Sequence, residues 1–203
     1  VPGSGVSEIR VGRGVYRPDE SLSVPVGSGD RNASFYLLDG VALRGGYRGL
    51  SGGLEKGESP DDRDIETFET ILHGDLAGND GPDGSYINSQ ENAYQIVTAL
   101  NVDDTAALDG FTVMSGRSDG VANGADPTSR DQGTAVNVYF SSPTIMNCTF
   151  RNCWTKNHGT INDHGDFTTI INCTFRNNFS DRFAPGLYIH NHTGSMVMGC
   201  KVL

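Results

Sequence analysis

The sequence predicts an all-β chain built as a parallel solenoid, with about 25 residues to a coil. Three observations predict it. Short apolar runs are broken by Gly, Asn and Asp, with 27 Gly in 203 residues, and few windows carry the apolar spacing of an amphipathic helix. The segment IMNCTFRN at 145–152 recurs as IINCTFRN at 170–177, an offset of 25. Each copy follows a second β-like run opened by Gly, at 133–140, 159–163 and 186–190. One unit therefore holds two strands and two turns, with no room for a crossover helix of a dozen residues.

Taken in chain order, EIRV at 8–11 reads as the first strand. LDGVAL at 38–43 and LDGFTV at 108–113 read as degenerate copies of the repeat. They align Leu38 with Leu108, Leu108 with Ile145, Phe111 with Cys148 and Val113 with Phe150. VMGCKV at 197–202 is a weaker third copy, with Cys200 lying 27 residues after Cys173. A unit this short cannot bury its own apolar face, so copies must stack, with strands roughly 4.8 Å apart. Ile145/Ile170/Val197, Cys148/Cys173/Cys200 and Phe150/Phe175/Val202 then become inward columns. Asn152 and Asn177 fall at the following turn, where Asn tolerates left-handed backbone and its amide can bond neighbouring coils.

The expected organisation is a single domain over 1–203, with irregular coils and acidic loops in 1–131 and regular coils in 132–203. Strand-like segments at both extremities point to a piece of a longer solenoid. The charge is uneven: 22 acidic and 10 basic residues in 1–131, against 3 and 5 in 132–203. A net charge of −10 argues against nucleic acid and anionic membrane surfaces as partners. No run approaches the ~20 apolar residues that span a bilayer.

Five segments carry a family resemblance: SEIRVGRGVYRPD, FYLLDGVALRGGY, ETILHGDLAGNDGPDGSY, AALDGFTV and SPTIMNCTFRN. They resemble the large right-handed parallel β-helix repeat proteins of environmental bacteria, planctomycetes in particular. The coils are similar to polymorphic outer-membrane-protein repeats. The resemblance implies a right-handed coil, which the general bias of parallel crossovers also favours. It further implies a secreted or cell-surface location and says little about activity.

Two places could carry chemistry. In the acidic loop at 75–86, Asp75, Asn79, Asp80 and Asp83 offer hard oxygens on a Gly-rich loop, which suits calcium. The same composition also makes an ordinary solvated turn. The stretch at 58–64, rich in Asp, reads as an exposed loop or a short helix start. The second place is Asp163, His164 and Asp166 with His190 one coil on. Asp163 and His190 each precede a repeat cysteine by 10 residues, so stacking would bring a carboxylate to an imidazole. The competing reading is a polar outer face with a stabilising Asp–His contact. His190 and His192 with Asp163 could alternatively ligate zinc, without a clear further ligand.

Cys148, Cys173 and Cys200 share one inward position and are expected as free thiols, with Cys153 undecided. Aromatic residues of the back half, Trp154 and Tyr188 among them, offer weak support for sugar contact. The leading expectation is a secreted or cell-surface structural or adhesive module, non-catalytic and needing no cofactor, that packs against further coils or copies of itself. The alternatives are a polysaccharide lyase or glycoside hydrolase, and a calcium-dependent glycan-binding module.

Overall fold

The computed structural model describes residues 5–82, 85–121, 129–190 and 194–203. The described chain is all-β, apart from one 3-10 turn at Ser89–Glu91. Its strands form four sheets in which every strand-to-strand pairing is parallel. The first sheet contains Glu8–Gly12, Ala42–Tyr47, Ala107–Asp109, Thr144–Met146, Thr169–Ile171 and Met196–Met198. The second contains Gly14–Tyr16, Thr70–His73, Thr112–Met114, Thr149–Arg151, Thr174–Arg176 and Lys201–Val202. The third contains Phe35–Tyr36, Val97–Leu100, Val136–Tyr139, Ile161–His164 and Leu187–Ile189. The fourth contains Arg117–Ser118, Trp154–Thr155 and Phe179–Ser180. From Val97 onward the chain visits the third, first, second and fourth sheets in turn and then repeats, an order compatible with a solenoid.

The repeat sets the register of the back half. Ile145 pairs with Ile170, Phe150 with Phe175, Val136 with Ile161 and Trp154 with Phe179, each 25 residues apart. Side chains alternate across each strand, so one face of every sheet turns to a common core. Leu108, Ile145 and Ile170 stack there fully buried, as do Val113 and Phe150 with Phe175 beside them. The Phe150 and Phe175 rings lie 5.2 Å apart and stacked. Burying each such side chain contributes ~1.5–3 kcal/mol. The third copy is different, with Val197 43% and Val202 74% exposed.

Corners are made by left-handed residues. Asn147 and Asn172 adopt φ of 53° at the corner between first and second sheets, and Gly110 and Gly199 fill the same role in their coils. Asn152 and Asn177 occupy the next corner with φ of 56° and 52°, as their spacing predicts. The amide of Asn147 also donates to Asp109 of the preceding coil at 2.8 Å.

All four cysteines are free, and Cys153 is buried. Burial pushes the Cys153 thiol up to about 12, which leaves it unreactive.

One alignment is corrected. Leu43, not Leu38, pairs with Leu108. The repeated unit is therefore Leu43-Arg44-Gly45 against Leu108-Asp109-Gly110, and the similar LDG at 38–40 lies before the strand. Packing decides this, since a Cβ on Gly45 would come within 2.7 Å of the Gly110 carbonyl oxygen. Among the described residues no helix is long and apolar enough to cross a membrane.

Candidate metal centre

Strand Thr70–His73 ends at Gly74, where a Cβ would come within 2.5 Å of the Ser115 carbonyl oxygen. Only glycine fits so close to the neighbouring strand. The chain then turns outward into a long excursion before Val97–Leu100. Asp75 organises its start. Its Oδ1 accepts the backbone N–H of Gly78 at 2.7 Å and of Asn79 at 3.2 Å, and its Oδ2 accepts that of Asp80 at 3.1 Å. Arg17 donates to the Asp75 carbonyl oxygen at 2.6 Å, tying the excursion to an earlier loop.

The excursion folds back so that Glu91 and Asn92 meet this turn. Asn92 is 1% exposed, and its amide nitrogen donates to Asp80 Oδ2 at 2.9 Å and to the Ser115 carbonyl oxygen at 2.8 Å. Asp75, Asp80 and Glu91 then each bring one carboxylate oxygen within 4.8 Å of the other two. Several oxygens here are buried without a hydrogen-bond partner: Asp80 Oδ1, both oxygens of Glu91, and Asn92 Oδ1. Orphaned buried acceptors are costly, and four together demand an explanation.

The Asp75 and Glu91 carboxyls are close enough to hydrogen-bond when one of them is protonated, so a shared proton competes with a cation at Glu91. Burial raises the Asp80 carboxyl, and the Asp75 charge adds to the effect. Burial also raises Glu91, with Asp75 and Asp80 pushing the same way. Burial works to raise Asp75 too, but the N–H groups of Asp80 and Asn79 outweigh it and hold that carboxyl low. Asp75 is thus the settled anion, and Asp80 and Glu91 are reluctant ones. A cavity of about 160 Å³ opens beside them, lined by His73, Asp75, Asp80, Tyr86, Met114 and Ser115.

Of the four residues the loop composition nominates, Asp75 and Asp80 converge. Asn79 is exposed and contributes through its backbone, its N–H to Asp75 and its carbonyl oxygen to Asn88. Asp83 lies outside the described residues. Glu91 is the member that sequence reading misses. It sits 16 positions after Asp75, beyond the acidic loop, and only the fold-back brings it in. The stretch at 58–64 is ion-paired instead, with Glu58 and Asp62 on Arg48 and Asp61 on Arg10.

The second candidate set is arranged differently from its spacing. Asp163 pairs with Ile189, so His164 rather than Asp163 stands over His190. The paired strands here are offset by 26 residues in the third sheet and 27 in the first, which breaks the equal spacing to cysteine. Asp163 is fully buried, and its carboxylate accepts from Gly165 N–H, the Thr168 hydroxyl and the Ser195 hydroxyl at 2.8–2.9 Å. These bonds join the third sheet to the turn beyond it. His164 stacks on Tyr139 at 4.7 Å and lies 4.7 Å from the His190 ring. Asp166 is exposed, and His192 lies outside the described residues. Asp163 and His190 touch only through backbone, His190 N–H to the Asp163 carbonyl oxygen at 3.0 Å.

No protein-family model matches the chain, and no curated protein or solved structure matches it either.

Proposed function

We propose that this chain is a stretch of right-handed parallel β-helix, about 25 residues per regular coil, that serves as a calcium-stabilised structural or adhesive module outside the cell. The observation that carries the calcium reading is the meeting of Asp75, Asp80 and Glu91 around orphaned oxygens. All the donors are hard oxygens, which suits calcium rather than zinc or copper. Calcium takes 6–8 oxygens, so water or a ligand hydroxyl entering the adjoining cavity completes the shell. Bound there, the ion offsets two of the three negative charges and locks the excursion between Gly74 and Val97 to the sheets. A stacked scaffold carrying such an excursion is rigid where it repeats and specific where it departs from repetition. The satisfied state of Asp163 gives no support to hydrolase or lyase chemistry at that position.

Calcium titration followed by thermal unfolding tests the reading. Stabilisation by a ligand grows as RT ln(1 + [L]/Kd), about 2.7 kcal/mol at 100 times Kd. The melting temperature should rise with calcium, more weakly with magnesium, and not at all in Asp80→Asn. A calcium response that persists in Asp80→Asn, or none in the unsubstituted protein, overturns it.

A further inference from the structure

Three cysteines stand one above another behind the corner between the first and second sheets. Asn147, Asn172 and Gly199 turn that corner with φ of 53°, 53° and 64°, and Cys148, Cys173 and Cys200 follow them directly. The strands that begin at the next residue are in register, Thr149 on Thr174 and Thr174 on Lys201. The Thr174 N–H donates to the Cys148 carbonyl oxygen and the Lys201 N–H to that of Cys173, each at 2.9 Å. All three thiols adopt the same pose. Each reaches the carbonyl oxygen two residues before it at 3.1–3.5 Å and one in the preceding coil at 3.8 Å.

That placement meets the geometric requirement of a disulfide. In-register neighbours on parallel strands stand roughly 4.8 Å apart, inside the about 4.4–6.8 Å between α-carbons that a disulfide spans. Cys173 is close enough to hydrogen-bond with Cys148 on one side and Cys200 on the other. The Cys148 thiol above all, with Cys200 adding to it, holds the Cys173 thiol below its ordinary range in spite of burial. A thiolate is therefore best supported in the middle of the column. Access differs along it: Cys148 and Cys173 are buried, whereas Cys200 is half-buried. Cys153 follows the next corner and stands outside the column. The strands Met196–Met198 and Lys201–Val202, which flank Cys200, have the most to gain from a fastening, since Val197 and Val202 are exposed.

We propose that Cys173 and Cys200 are a dithiol that a small-molecule disulfide oxidises to an inter-coil disulfide, fastening the strands around Cys200 to the coil before them. Cys200, the accessible member, reacts first. Its Sγ, as thiolate, attacks the small disulfide, forms an S–S bond to one half and releases the other half as a thiolate. Cys173 Sγ, as thiolate, then attacks Cys200 Sγ, breaks that mixed bond and releases the second half. The protein gives up two protons and two electrons, and the small disulfide leaves as two thiols. An excess of small thiol runs the same steps backwards. The bond closes 200 − 173 = 27 residues of chain, which removes freedom from the unfolded state. The dithiol is separate from the Asp75 centre, so its oxidation does not depend on calcium there.

Incubation of the folded protein with oxidised glutathione at mildly alkaline pH, then alkylation and peptide mass mapping, tests the proposal. The monomer should lose two hydrogens in mass and yield one disulfide-linked peptide pair holding Cys173 and Cys200. Cys148 and Cys153 should remain open to alkylation once the protein is unfolded. The reaction should quicken as pH rises, since burial holds the Cys200 thiol above its ordinary range. Cys173→Ser should stop at a glutathione adduct on Cys200, and Cys200→Ser should take up no glutathione while folded. Oxidation should raise the melting temperature by on the order of 5 °C, reversibly with dithiothreitol, and should leave Cys200→Ser unmoved. If Cys173→Ser misfolds, the peptide map of the unsubstituted protein and Cys200→Ser carry the test. No reaction, a lasting glutathione adduct on the unsubstituted protein, a bond between two molecules, a bond that includes Cys148 or Cys153, or an oxidised protein that melts no higher than the reduced one overturns the proposal.

Discussion

The two halves of this molecule use the same sheets for different purposes. Beyond residue 132 the strands pair at offsets of 25 to 27, and in the first two sheets Ile145 stands on Ile170 and Phe150 on Phe175. Before it the offsets are larger and uneven: 34 from Glu8 to Ala42, 56 from Gly14 to Thr70, 65 from Ala42 to Ala107. The extra residues leave the sheets as excursions tied down by arginine ion pairs and carboxylate turns. Repetition stacks apolar columns and a few hydrogen-bonded polar pairs such as Asn137 on Asn162, whereas the excursions gather carboxylates that do not repeat. The only cluster of three potential metal ligands found among the described residues sits on an excursion.

The largest test of this contrast removes one side chain from a column. Phe150 is fully buried and stacked on Phe175. Phe150→Ala should destabilise the protein by ~3–5 kcal/mol, the usual cost of a core phenylalanine. Chemical denaturation should show the lower midpoint. A loss under 1 kcal/mol would mean that the regular half is not the stabilising one.

A smaller effect is expected at a polar junction. Asp163→Asn keeps the side-chain shape but turns one acceptor into a donor facing Gly165 N–H, Thr168 or Ser195. A loss of ~1–3 kcal/mol is expected, the size of an unsatisfied buried group. The purely structural role predicts the same loss in every buffer. A catalytic role would instead appear as polymer cleavage lost in a variant of unchanged stability.

How much was legible in the sequence follows the same division. The columns at Ile145, Cys148 and Phe150, and the corner Asn152, could be read because repetition writes each constraint twice. Leu43 could not, since LDG at 38–40 imitates the repeat better than the true LRG at 43–45. The close approach of Gly45 to Gly110 is visible only in three dimensions. At the candidate centre, Asp75 and Asp80 stood out as local turn carboxylates. Glu91 carried no local signal, because its role depends on where the excursion returns. The stacking of Asp163 on His190 failed for a countable reason: Ile189, the residue that does pair with Asp163, lies 11 positions before Cys200, one more than the 10 from Asp163 to Cys173.

The finest test separates Glu91 as a cation ligand from Glu91 as part of an ordinary carboxyl pair. Its carboxyl is raised by burial and by Asp75 and Asp80. Such a group supports the fold below its ordinary value of 4.5 and loses that support as pH climbs through the raised value. Asp75, held low, acts oppositely: its support is present above 3.8 and fades as pH falls. In chelator at neutral pH, Glu91→Gln should therefore be the more stable protein, by on the order of 1 kcal/mol, the usual size of a single substitution. That advantage should shrink as pH drops toward 4.5, where Glu91 itself becomes protonated. Calcium should reverse the order at neutral pH, stabilising the unsubstituted protein and leaving the variant almost unmoved. Thermal melts across pH, with and without calcium, distinguish the two roles. If the variant gains stability in chelator but both proteins ignore calcium, the pair shares a proton and no cation. If both respond to calcium equally, the ion binds elsewhere and the excursion is held by hydrogen bonds alone.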